Sequence, residues 1–172
     1  MPDHAAPSPL LSAIRAAIGE RGLLTGPADT AAYVEDWRRL YQGQTQAVVR
    51  PACTDEVAAV VRLCAEAGVP IVPQGGNTSM VGGATPSEDG SQIVLSLARM
   101  NRVHDVDPVD LTLTTETGVT LKAAQDAAAE AGCLLPLSIS SEGSAQIGGV
   151  LATNAGGNTT VRYGNARDLV LG

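Results

Sequence analysis

Two glycine-rich segments hold the residues of this sequence best suited to chemistry. The first, "VPQGGNTSMVGGA" (Val72–Ala84), sets Gly75, Gly76, Gly82 and Gly83 around Asn77, Thr78 and Ser79, after a short apolar run. The second runs from Gly143 to Gly157 and reads "GSAQIGGVLATNAGG". Glycine lets the backbone turn freely and lets another group approach it closely, but ordering it costs entropy, so such a concentration needs a reason. Successive backbone N–H groups in a loop of this kind form an anion-binding concavity, to which Asn77, Thr78 and Ser79 add side-chain donors. A pyrophosphate suits that loop. The first segment lacks the Lys-Ser/Thr ending of a Walker loop, and it is not a G-x-G-x-x-G at a strand-to-helix turn. A single loop of this composition reads as a surface connection. In the second segment, however, Ile147, Val150 and Leu151 are apolar anchors along a track with little side-chain bulk, and a flexible linker has no use for anchors. Backbone lining a ligand explains the pair.

Other reactive side chains do not assemble. Cys53, Cys64 and Cys133 show no C-x-x-C spacing, and with only His4 and His104 beside them no zinc set forms, so free buried thiols and no metal are expected. His104 beside Asp105 reads as structural or as a surface residue, not as catalytic. Arg162, Tyr163 and Arg167 follow the second segment, and they read as solvated rather than as a carboxylate clamp. No catalytic set is assigned.

The elements that position the glycine segments follow from periodicity. Ser8 caps a helix with Leu10, Leu11, Ile14 and Ile18 on one face, ended by Gly19 and Gly22. Thr30 to Leu40 is expected to be helical, with Tyr33, Trp37 and Tyr41 forming a buried stripe. Ala47–Arg50 reads as a strand, Thr54 opens a helix with Val57, Val60, Val61 and Cys64 inward, Gly68 stops it, and "VPIV" is a second strand. That is a βαβ unit with parallel strands. "QIVLSL", "RVHDV" and "LTLTTETG" are β-rich runs, and Thr120 caps an alanine-rich helix reaching Ala131. Leu169, Val170 and Leu171 form a last β-type run. The fold class is α+β, with a tail and docking helix over 1–35 and one domain over 36–172.

The chain has 172 residues, a net charge of −7, one Trp, three Tyr and no Phe. An acidic chain without a basic stripe or a stacking surface is a poor nucleic-acid binder. No stretch approaches the ~20 apolar residues that span a bilayer, and no signal or transit pattern precedes residue 21. A cytoplasmic setting is the expectation.

"PQGGNTSMVGGA", "ARMNRV", "PLSISSEGSAQIGGVLATNAGG" and "RYGNARDLVLG" resemble, in order and spacing, the FAD-binding domain of the vanillyl-alcohol-oxidase-type (PCMH-type) flavoproteins. Within these they are similar to the D-2-hydroxyglutarate dehydrogenase and D-lactate or glycolate dehydrogenase branch. The resemblance covers about Asp36 to Gly172. It implies a PCMH-type fold of two α/β subdomains with FAD extended between them and its pyrophosphate on the first loop. Contacts implied there are Pro73, Gln74, Gly75, Gly76, Asn77, Thr78, Ser79, Gly82 and Gly83. On the other side they are Pro136, Gly143, Ser144, Ile147, Gly148, Gly149, Thr153 and Asn154. Thr78 stands where some relatives carry a flavin-linking His, so the FAD is expected to be non-covalent. The implied activity is oxidation of a small D-2-hydroxy acid, with a separate electron acceptor. Because such proteins continue well past the equivalent of "DLVLG", the chain reads as C-terminally truncated and catalytically inactive by itself. The rival expectation is a FAD-binding or interaction module without chemistry.

Overall fold

The computed structural model describes residues 8–172. The proline- and alanine-rich tail, His4 included, lies outside the described residues up to residue 7. Two compact units emerge. One comprises the described residues up to Gln74 together with Ser79–Arg99, and the other Gly75–Thr78 with Met100–Gly172.

The first unit opens with helix α1 (Pro9–Ile18), where the Ser8 hydroxyl accepts the Leu11 N–H at 3.2 Å and Gly19, at φ 71°, ends the helix. Strand β1 (Leu23–Leu24), helix α2 (Pro27–Thr30), strand β2 (Val48–Val49), helix α3 (Thr54–Glu66), strand β3 (Ile71–Gln74) and strand β4 (Ile93–Ser96) follow. The sheet runs β1-β2-β4-β3, with β1 antiparallel and the other three parallel. The parallel strands of the expected βαβ unit are therefore present but not adjacent. All four residues of β4 are buried, and this most apolar run takes the place between β2 and β3. Ile14 and Ile18 of α1 pack with Val60 and Cys64 of α3 and with Val49, Ile93 and Leu95 of the sheet, so the docking helix closes this core.

Four expectations fail, the last of them across both units. Helix does not extend from Thr30 to Leu40, because the buried Asp36 carboxylate accepts the N–H groups of Leu40 and Tyr41, both at 2.7 Å, and of Arg38 at 3.2 Å. A side chain that caps its own following backbone competes with the helical ladder. Trp37 and Tyr41 are consequently exposed, not a buried stripe. Val61 points outward at 44% exposure, because the face of α3 that is buried runs through Val60 and Cys64. Of the free thiols only Cys64 is buried; Cys53 is exposed at the N-cap of α3 and Cys133 is half-buried.

The second unit contains the antiparallel hairpin of β5 (Val103–Asp107) and β6 (Thr112–Thr115), whose register shifts at His104. Helix α4 (Leu121–Glu130) follows, with the Thr120 hydroxyl accepting the Ala123 N–H at 3.2 Å. Two short helices, α5 (Ile147–Ala152) and α6 (Thr160–Tyr163), complete it. Its core is Leu121, Leu137, Ala145, Val150 and Ala166. The end of the chain differs from expectation: Ala166–Leu169 is a tight helical turn, not part of a strand. Asn165 and Asp168 close a reciprocal capping box around it, which local side-chain chemistry favours over extension.

Candidate functional site

The first glycine segment is divided between the units. Pro73, Gln74, Ser79, Gly82 and Gly83 belong to the first, and Gly75, Gly76, Asn77 and Thr78 to the second. In the first unit Gln74 is buried, and its Nε2 donates to the carbonyls of Tyr33 at 2.9 Å and Ala84 at 2.7 Å. The amide therefore ties the end of β3 to the far end of the loop. Gly82 has φ 70°, and a Cβ there would lie 2.8 Å from the Tyr41 ring, so the chain itself requires glycine at this position. Gly82 and Tyr41 line a cleft of about 240 Å³ with Leu40, Gln42 and Glu88. Pro73 and Gly83 are exposed, and Ser79 is half-buried.

The second unit brings the rest of the first segment against the second segment. A Cβ on Gly76 would overlap the Ser144 carbonyl, and one on Gly75 would stand 3.5 Å from Gln146 Oε1 and 3.8 Å from the Gly149 Cα. Asn77 takes the left-handed conformation at φ 52°. The second segment is not a continuous irregular track, because Ile147–Ala152 is helical. Its frame lies within the second unit: the Ile147 and Gly148 N–H groups donate at 2.8 Å to the carbonyls of Val119 and Thr117, and Val150 is buried in the core. The anchoring role of Ile147, Val150 and Leu151 follows from these contacts with the core.

Several expected contacts have tasks within the chain. The Thr153 hydroxyl donates back to the Gly149 carbonyl at 3.0 Å. Asn154, at φ 51°, accepts the Arg167 N–H at 3.0 Å through Oδ1. Gly148 sits where a Cβ would come 3.0 Å from the Thr117 side chain. The Pro136 carbonyl accepts the Thr159 hydroxyl. Gly143 and Gly149 differ. Neither has a positive φ, and a Cβ on either would meet nothing within 4 Å, so packing within the chain does not require glycine at these positions. Ser144 is exposed beside Gly143.

Two residues outside the expected set matter. Gln146, at the N-cap of α5, is 9% exposed, and its Oε1 is buried without a hydrogen-bond partner in the chain. A polar side chain between the apolar Ala145 and Ile147 is the signal that points to it in the sequence. Arg167 is not merely solvated: its Nε and Nη2 donate at 2.8 Å to the Leu151 and Ala152 carbonyls, holding the C-terminal end of α5.

On the hairpin side, Glu116 is 9% exposed and accepts the Arg102 side chain at 2.8 Å and the Arg102 N–H at 2.8 Å. The Arg102 side-chain bond and then its backbone N–H hold this carboxyl below its ordinary range. His104 lies 4.0 Å from the same carboxylate. Among the described residues no helix is long and apolar enough to cross a membrane, and no group of three acidic, His or Cys side chains could hold a metal ion.

The profile of the FAD binding domain family matches residues 45–172. A D-2-hydroxyglutarate dehydrogenase of Xanthomonas citri pv. viticola is 40% identical over 95% of this chain and 34% of its own length. The mitochondrial D-2-hydroxyglutarate dehydrogenase of Bos taurus is 41% identical over 87% of this chain and 27% of its own. A D-2-hydroxyglutarate–pyruvate transhydrogenase of Saccharomyces cerevisiae is 39% identical over 85% and 29%. The chain thus spans 27% to 34% of the length of these relatives. Among solved structures, alkyldihydroxyacetonephosphate synthase superposes with a TM-score of 0.84 at 23% identity, over 92% of this chain and 31% of that one. 6-Hydroxy-D-nicotine oxidase of Arthrobacter nicotinovorans gives 0.71 at 26%, over 86% and 32%. The α+β fold of the PCMH type expected from the sequence is the fold these structures share with the chain.

Proposed function

This chain belongs to the FAD binding domain family, and from that premise we propose that it is the FAD-holding portion of a flavin-dependent oxidoreductase that oxidises small D-2-hydroxy acids to 2-oxo acids. 2-Hydroxyglutarate, lactate and glycolate are the candidate substrates, with electrons leaving to a separate acceptor. The relatives named D-2-hydroxyglutarate dehydrogenase support the substrate class. The observation that carries cofactor binding is Gly149, which stands beside Gly75 and where, as at Gly143, a Cβ would meet nothing within 4 Å. Bare backbone at that place suits a ligand that contacts main chain.

The residues that would hold FAD there are Gly75, Gly76, Asn77 and Thr78 with Gly143, Ser144, Gln146 and Gly149. When bound, FAD supplies a ring that accepts a hydride from the carbon bearing the substrate hydroxyl. The chain's part is to bind and orient, and Thr78 in place of a flavin-linking His makes the attachment non-covalent. No side chain here is assigned to bind the substrate carboxylate or to take its hydroxyl proton. That the chain by itself is inactive is part of the same proposal.

The test is direct. Purified chain mixed with FAD should show flavin absorbance after gel filtration, release the flavin on acid precipitation, and melt at a higher temperature, since a ligand at 100 times its Kd stabilises by about 2.7 kcal/mol. D-2-hydroxyglutarate, D-lactate and glycolate should neither bleach the flavin nor drive dye reduction. Protein that stays colourless without a thermal shift overturns the cofactor reading. Turnover at the rate of a complete enzyme overturns inactivity alone.

A further inference from the structure

We propose that Gln146 is a cofactor-binding residue whose amide oxygen accepts a hydrogen bond from a hydroxyl or N–H group of the cofactor, and so marks where a donor-bearing part of FAD lies. This rests on the reading of the site as a FAD site.

The position of Gln146 is fixed from both sides. Its backbone pairs with Thr120 in an isolated antiparallel bridge, the Ala145 carbonyl before it accepts the Leu121 N–H at 2.8 Å, and the Ile147 N–H after it donates to the Val119 carbonyl at 2.8 Å. The residue is 9% exposed, and its Oε1 is buried with no partner within the chain. Burying an amide oxygen without a donor is costly, and native chains retain few such groups without a reason.

The backbone around that oxygen carries little side-chain bulk. A Cβ on Gly75 would rest 3.5 Å from Oε1, at ordinary contact distance, so only backbone lies on that side of the amide. The Gly149 Cα lies 3.8 Å from that Gly75 Cβ position, and a Cβ on Gly149 itself would meet nothing within 4 Å. A fixed, unsatisfied acceptor beside two bare stretches of backbone needs only a small shift to meet a donor, which suits a recognition group.

The chemistry of the acceptor then selects its partner. A pyrophosphate ionised at neutral pH offers acceptors only, so it cannot satisfy Oε1. FAD carries donors elsewhere: the ribityl and ribose hydroxyls, the imide N–H of the flavin and the adenine amino group. One of these would face Gln146 Oε1, while the pyrophosphate would be held by the backbone N–H donors of the Gly75–Thr78 turn.

The experiment replaces Gln146 by Leu and, separately, by Met, which keeps the length and flexibility of the side chain. Both variants and the parent chain are melted without ligand and titrated with FAD, FMN and ADP. FAD affinity should fall about tenfold to a hundredfold, the range for a lost hydrogen bond with a buried partner. Ligand-free melting temperature should stay level or rise, because an unsatisfied buried polar group has been removed. A side chain with only a structural role would give the opposite pair of results. A matching loss for FMN places the donor in the flavin half, and one for ADP places it in the adenosine half. Unchanged FAD affinity in both variants overturns the proposal while leaving the FAD site intact. No FAD binding by the parent chain overturns the site and the proposal together.

Discussion

At the scale of single residues, the glycines of the two segments separate into those the chain requires and those it does not. Gly76 leaves no room for a Cβ against the Ser144 carbonyl, and Gly82 combines φ 70° with contact to Tyr41. Gly149 has a helical conformation and free space around its α-carbon. Replacing it by Ala should stabilise the ligand-free chain by about 0.5–1 kcal/mol through a smaller loss of backbone entropy, and should weaken FAD binding at least tenfold by occupying the ligand's space. Gly76→Ala should instead destabilise the chain itself by about 1–3 kcal/mol, since backbone must shift. Melting curves with and without FAD distinguish the two, and a Gly149→Ala chain that loses stability without losing affinity would make Gly149 a packing residue. The sequence shows both glycines equally well. Which of them serves the ligand depends on what each missing Cβ would touch, and composition does not contain that.

At the scale of elements, α5 is too short to be helical by propensity and must be held at its ends. Val119 and Thr117 carbonyls take its first N–H groups, Val150 is its buried anchor, and Arg167 takes its last carbonyls. Arg167→Ala should therefore loosen α5 specifically. Its amides, Leu151 and Ala152 among them, should exchange with deuterium about fivefold to tenfold faster, near 1 kcal/mol for partly solvated charge-assisted bonds. Amides of the β5–β6 hairpin should keep their protection. Lys at this position should not restore it, because a single ammonium cannot reproduce the two-point geometry of a guanidinium. Uniformly faster exchange across the unit would count against the clamp. Elements with clean periodicity and caps were legible in the sequence: α1 from Ser8, α4 from Thr120, and β4 from "QIVLSL". The failures share a cause. Asp36 and the Asn165–Asp168 pair redirect the backbone through side-chain hydrogen bonds that periodicity does not register. The helix inside "GSAQIGGVLA" likewise depends on bonds to Thr117 and Val119, distant in sequence, which override the glycines' low helix propensity.

At the scale of the whole molecule, charge decides how the fold responds to acid. Each unit contains a buried carboxylate in its ionised role. In the first, burial pushes the Asp36 carboxyl up, but the Tyr41, Leu40 and Arg38 N–H groups together hold it below its ordinary value of 3.8. In the second, the Arg102 side chain and N–H hold Glu116 below 4.5. Asp89, bonded by the Ser87 and Ser91 hydroxyls and the Ser91 N–H, and Asp107, bonded by the Asp110 and Val109 N–H groups, are lowered in the same direction. A carboxyl whose folded pKa is depressed contributes stability that is present above its unfolded pKa and lost as pH falls through the folded one. Urea midpoints should therefore be nearly level from about pH 6 to 8 and decline below about pH 4.5, without recovery at lower pH. The single Trp, Trp37, adjoins Asp36 and is 61% exposed, so its fluorescence follows the first unit, while exchange at the Arg102 and Glu116 amides follows the second. Glu116→Gln keeps an acceptor for Arg102 but no titratable proton. It should lower stability at pH 7 and flatten the acid decline of the hairpin's exchange protection, with the Trp37 transition unchanged. An acid decline of the same steepness in that variant would assign acid sensitivity to other carboxylates.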